Sequence, residues 1–106
     1  MDFDTFLRFL IRTAPNRPDL HFLIYTRKAC PLCDEAHGLL ARYQVLNGFT
    51  LELVDVDTSE ELCREHGNCV PVVLVNGKVR FRGHVNDVLL QRILDAAPPE
   101  ETQARR

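Results

Sequence analysis

The sequence predicts a single α/β domain built on a mixed four-stranded sheet, with one extra helix ahead of it. Three observations carry that prediction. A β-rich run is followed by a stretch of helical period and then by a second alternating run, which makes a β-α-β unit. Further on, Asn76-Gly77 stands between two more β-rich runs, the strongest short-range signal for a hairpin. A final apolar stretch at helical spacing closes the chain before Pro98-Pro99.

Taken in order, the first element lies within Asp4–Arg12, where Phe3, Phe6, Leu7 and Leu10 fall on one side of a helix. Ala14-Pro15-Asn16-Arg17-Pro18 breaks it. This helix packs on the domain's own surface or serves as a dimer or partner contact, so the chain is read as a monomer or a weak dimer held through it. His21–Thr26 suits a buried strand. After Cys30-Pro31-Leu32-Cys33 the apolar residues Ala36, Leu39, Leu40, Tyr43 and Leu46 recur at three- and four-residue spacing, a helix of about three turns. Asn47-Gly48 ends it, with either residue suited to the left-handed cap.

Thr50–Val56 alternates as a second strand. Thr58 or Ser59 followed by Glu60 and Glu61 marks a short helix, its carboxylates near the positive end of the dipole and its stop at Gly67-Asn68. Val72–Val75 and Val79–Arg82 flank the hairpin turn, and Asn86 caps the last helix through Val88, Leu89, Ile93 and Leu94. Residues 1–19 thus form a helix-and-loop extension, 20–97 the domain, and 98–106 a solvated tail. The first crossover is expected to be right-handed.

Composition narrows the function. With 45% hydrophobic and 26% charged residues the chain suits a folded soluble protein. A formal net charge of -2 and no basic stripe argue against an obligatory nucleic-acid partner. The apolar stretch near the start is too short to span a bilayer. Asp2 and Asp4 stand where a signal peptide needs positive charge, so the cytoplasm is the expected compartment. In such a compartment cysteines more often mean catalysis or metal than structural staples.

Cys30-Pro31-Leu32-Cys33 sits directly between a strand and a helix. Residues i and i+3 on a first helical turn have Cα atoms about 5–6 Å apart, close to what a disulfide requires. Pro31 fits the first helical position, where its missing N–H costs nothing. Cys30 is left at the helix mouth, facing unpaired amide N–H groups that favour the nucleophilic thiolate. Cys30 is therefore the candidate nucleophile and Cys33 the resolving thiol. Arg27 and Lys28 should favour the thiolate and Asp34 should oppose it. No metal site is assigned, because Cys63 and Cys69 are not at a common zinc-knuckle spacing, although a metal or cluster role for the thiols stays open.

Residues His21 to Ala97 resemble the glutaredoxin-like branch of the thioredoxin superfamily. The resemblance rests on Tyr25-Thr26-Arg27-Lys28-Ala29-Cys30-Pro31-Leu32-Cys33-Asp34-Glu35-Ala36, on Val70-Pro71-Val72-Val73, and on the hairpin with Gly83 ahead of the last helix. It implies a thioredoxin-like fold of glutaredoxin type, β-α-β-α-β-β-α, and thiol–disulfide oxidoreductase activity on a protein or glutathione disulfide. It also implies a cis peptide bond before Pro71, facing the cysteine pair. Glutathione-binding groups fall at Arg27, Val70, Asn86 and Asp87, with Leu32 and Pro71 completing the substrate surface. Leu32 stands where glutaredoxins usually carry tyrosine, and Gly83-His84 replaces a paired glycine. No tightly bound cofactor is implied, and glutathione is a candidate reductant. Cys69, two residues before Pro71, is a candidate accessory thiol or a small buried residue. His37 is a candidate proton shuttle or a solvated surface imidazole. The alternative to an enzyme is a thioredoxin-fold module that senses redox state, holds a metal or cluster, or binds a protein.

Overall fold

The computed structural model describes residues 16–96. The expected N-terminal helix and the tail lie outside the described residues. The elements are β1 (His21–Thr26), α1 (Pro31–Asn47), β2 (Thr50–Asp55), a 3-10 turn (Val56–Thr58), α2 (Glu60–His66), β3 (Val72–Val75), β4 (Lys78–Arg82) and α3 (Asp87–Asp95). They form one sheet of order β2-β1-β3-β4. The β1–β2 pair is parallel, and β1–β3 and β3–β4 are antiparallel. This is the mixed four-stranded sheet the sequence predicts.

Local chemistry accounts for most boundaries. Gly48 ends α1 in the left-handed conformation with its N–H on the Gln44 carbonyl. Ser59 caps α2 by accepting from the Leu62 N–H, and Asn86 caps α3 by accepting from the Leu89 N–H. Asn76 and Gly77 both have positive φ, as a two-residue hairpin turn demands. One expectation is corrected: α1 has 17 residues, nearly five turns rather than about three. Its first turn, Pro31 to Glu35, has one buried residue, Cys33, so counting recurrent apolar side chains underestimates its length.

The core lies on one face of the sheet. Phe22, Ile24, Val73, Val75 and Phe81 from the strands meet Ala36 and Leu40 of α1 and Leu90 and Leu94 of α3. The Phe22 and Phe49 rings pack with centroids 4.3 Å apart. On the other face, His66 at the end of α2 stacks on Tyr25 with centroids 4.7 Å apart.

Arg17 joins the start of the described chain to this core. Its side chain is buried, and Nη1 donates to the carbonyls of Ile93 at 3.2 Å, Leu94 at 2.8 Å and Ala96 at 2.5 Å. These are end-of-helix carbonyls without helical partners, at the negative end of the α3 dipole. Nε and Nη2 pair with Asp19 at 3.1 and 2.9 Å, and hydrogen bonds from Arg17 hold the Asp19 carboxyl below the usual carboxylate range. Hydrogen bonds to charged groups each contribute about 1.5–3 kcal/mol, so Arg17→Met should destabilise the domain by roughly 2–3 kcal/mol. Urea unfolding with an unchanged denaturant slope and a lower midpoint is the expected result.

Candidate functional site

The sheet brings the sequence-predicted residues to one end. The β1 strand runs out at Thr26 and the chain turns through Arg27, Lys28 and Ala29 into α1. The β1–β3 register sets Tyr25 opposite Val72, so Pro71 follows next at the same end of the sheet. The Val70–Pro71 peptide bond is cis. Arg27 Nη1 donates to the Gly67 carbonyl at 3.1 Å, fastening the turn before Cys30 to the loop that leads to Pro71.

Cys30 and Cys33 are joined in a disulfide, with Cα atoms 5.2 Å apart. Cys30 is the N-cap of α1 and is partly exposed, whereas Cys33 is buried at 3% exposure. The Cys30 Sγ accepts the Cys33 N–H at 3.1 Å, and the Cys30 carbonyl accepts the Asp34 N–H at 3.1 Å. Cys30, the candidate nucleophile, therefore faces the positive helix end while its mate sits one turn inward.

Ala29 has a φ of 53°, a left-handed conformation that L-residues enter at a cost of about 1–2 kcal/mol. No residue type flags this in the sequence; only the need to turn sharply from strand to helix predicts it. Arg27 is held by Asp57, Gly67 and Cys63. Its Nε and Nη2 form a two-point pair with Asp57, at 3.2 and 2.7 Å, and Nη2 lies 3.5 Å from the Cys63 sulfur. The hydrogen bond from Arg27 lowers the Asp57 pKa, and the same bond raises that of Arg27. Sequence reasoning misses Asp57. Its signal is the parallel pairing of β1 with β2, which sets Thr26 beside Asp55 and so brings the two following segments together.

At the last helix, Asn86 spends its side-chain oxygen on the Leu89 N–H, and the Asp87 carboxylate accepts from Tyr43 at 2.7 Å and Gln91 at 3.3 Å. Leu32, next to Cys33, is 50% exposed. It borders a groove of about 320 Å³ whose lining includes Leu39, Val85, Arg42, His84 and Asp87. Cys69 and Cys63 are both half-buried free thiols, not joined to each other. His37 is exposed on α1. Gly67 permits the close turn after α2, since a Cβ there would lie 2.5 Å from the Cys63 carbonyl oxygen. Among the described residues no three His, Cys, Asp or Glu side chains are grouped to hold a metal ion, and no helix is long and apolar enough to cross a membrane.

A strand-to-helix Cys-Pro-Leu-Cys turn and a cis-proline loop at one end of a mixed four-stranded sheet define a thioredoxin-fold protein of glutaredoxin-like type. Residues 21–95 match the model of the Glutaredoxin-like domain (DUF836), and the chain belongs to that family. Among solved structures it is similar to protein Ne2328 from Nitrosomonas europaea, with 26% identity and a TM-score of 0.64 over 72% of this chain and 92% of that one. It is also similar to the NTD_N/C domain of the alkylhydroperoxide reductase AhpF from Enterococcus faecalis, at 22% identity and TM-score 0.61. That match covers 89% of this chain but 45% of the other. Oxidised thioredoxin from Plasmodium falciparum shares the fold at 17% identity and TM-score 0.52, over 89% and 90% of the two chains. No curated protein matches the chain.

Two outcomes test this geometry. Ala29→Gly should leave stability within about 0.5 kcal/mol of the parent, the relief of strain offsetting glycine's backbone entropy, while Ala29→Val should cost roughly 2 kcal/mol. Equal stability of the two variants would contradict the left-handed turn. The Asp57 carboxyl is lowered in the folded state, so its pairing with Arg27 persists above the usual carboxylate range and is lost as pH falls through the lowered value. A carboxyl-detected NMR titration should place the Asp57 midpoint below those of the exposed, unpaired carboxylates.

Proposed function

We propose that the protein is a thiol–disulfide oxidoreductase that reduces protein or glutathione disulfides with the Cys30–Cys33 pair, in the reducing environment of the cytoplasm. One observation carries the reading: a partly exposed cysteine caps a helix through its sulfur and is bonded to a buried cysteine one turn inside it.

The cycle starts from the dithiol. The Cys30 thiolate, favoured by the helix mouth, attacks one sulfur of the substrate disulfide. The substrate S–S bond breaks, a Cys30–substrate disulfide forms, and the first substrate sulfur leaves as a thiolate and takes a proton. Cys33 gives up its proton and attacks the Cys30 sulfur. The mixed disulfide breaks, Cys30–Cys33 forms, and the second substrate thiol departs. Two electrons pass from the protein to the substrate. Two molecules of an external thiol, such as glutathione, return two electrons to reopen the pair and leave as their own disulfide. Val70 lies just before β3, and its main chain offers a strand-like edge on which the incoming segment can pair.

Cys30→Ser should abolish reduction of a peptide disulfide. Cys33→Ser should retain the first step and accumulate a mixed disulfide, visible as an intact-mass adduct that a reductant releases. Turnover at the parent rate in both variants would defeat the proposal.

A further inference from the structure

Apolar packing holds α2 only weakly, since none of its seven residues is buried. The loop that follows it carries Val70 and Pro71, the proposed substrate edge. That edge therefore depends on polar and ring contacts for its place. Downstream it is firm: Pro71 is buried, and its carbonyl accepts the Gly83 N–H at 2.7 Å. Upstream, the Cys69 N–H closes a turn onto the His66 carbonyl at 2.9 Å, and the His66 ring stacks on Tyr25. Gly67 lies inside that turn, so a shift of Gly67 is passed to Cys69 and on to Val70.

Gly67 is fixed from the cysteine side of the site. Arg27 Nη1 donates to its carbonyl at 3.1 Å, placing a cation at the negative end of α2. A free arginine side chain samples many rotamers, so this contact needs a guanidinium whose plane is already set. Asp57 sets it. Its carboxylate takes Nε at 3.2 Å and Nη2 at 2.7 Å, which leaves Nη1 directed at Gly67. The Cys63 sulfur closes the remaining side, 3.5 Å from Nη2 and 3.6 Å from the Asp57 carboxylate. Arg27 itself stands three residues before Cys30, on the turn into α1. One carboxylate thus governs the spacing between the turn that carries the reactive sulfur and the loop that carries the substrate edge. With side chains 35% and 44% exposed, the pair adds little to global stability, and its effect is local.

We propose, building on the oxidoreductase reading above, that Asp57 is a positioning residue for disulfide substrates that have a peptide main chain. Acting through Arg27 and the Gly67 carbonyl, it holds the Val70 edge where a strand paired along it presents its disulfide to Cys30. Asp57 acts on the placing of the substrate. The reactivity of Cys30 towards a disulfide without a main chain does not depend on it.

The test uses the pre-reduced full-length protein and two disulfides. One is a short disulfide-linked peptide, which can pair along the Val70 edge; the other is hydroxyethyl disulfide, which has no amide group. Second-order rates of protein oxidation are read by acid quench, thiol alkylation and intact mass. Asp57→Asn should slow the peptide reaction about tenfold, the scale of effect that a small misplacement of bound substrate produces. Its rate with hydroxyethyl disulfide should change by less than about twofold. Asp57→Glu, which keeps the carboxylate, should bring the peptide rate back to within about threefold of the parent. Arg27→Gln combined with Asp57→Asn should be no slower on the peptide than the slower single variant, because both remove the same tether. In the oxidised protein, amide hydrogen exchange at Asn68, Cys69 and Val70 should quicken in Asp57→Asn while that of α1 stays at the parent rate. An unchanged ratio between the two disulfide rates, unchanged exchange at those three residues, or a parent active on hydroxyethyl disulfide alone would overturn the positioning role and leave the oxidoreductase reading in place. A parent that reduces neither disulfide would remove both.

Discussion

At the start of α1 one of the helix's unpaired amides is satisfied by sulfur. The Cys30 side chain takes the place that Ser, Thr, Asp or Asn fills in most helices, accepting the Cys33 N–H. The atom that caps the helix is thus also the atom that performs the proposed chemistry. The surrounding conformations serve this arrangement. Ala29 bends the chain out of β1 with positive φ, Pro31 begins the helix where no donor is lost, and Cys33 is carried one turn down into the core. The sheet then needs only to bring the Val70–Pro71 turn to the same end, which the antiparallel β1–β3 register does.

Features decided by neighbours in the chain are legible in the sequence alone. The Asn76-Gly77 hairpin, the Ser59 and Asn86 caps, the Gly48 stop and the cysteine pair at the strand–helix junction all depend on contacts within about four residues. Features decided across the fold are not. Arg17, in a stretch that reads as a loop, is buried and bonded to residues 76 to 79 positions away. Arg27 is three residues before Cys30 and invites a ligand-binding reading, yet its partner is Asp57, brought close only by parallel strand pairing. The length of α1 escapes for another reason. Its first turn is shaped by capping and by the cysteine pair, so its apolar rhythm starts late.

The two ends of the candidate site are treated alike by the fold. On one side a guanidinium is closed by a carboxylate, and on the other a carboxylate is held by a tyrosine and a glutamine. The exposed pair adds little to stability, since water screens such charges and two long side chains must be held in one geometry. Its effect is on geometry. It ties the turn before Cys30 to the segment after β2, with the Arg27 charge met by that of Asp57.

The position of Arg17 also separates two ways of drawing this domain. The stretch shared with the family opens at residue 21, but the last turn of α3 is sealed by a side chain four residues upstream of that point. What is common to the relatives and what must be present for the helix to close are therefore different lengths of chain. A fragment cut at the family border would leave three carbonyls at the end of α3 without their donor, and the loosening would begin at the far end of the molecule from its cysteines.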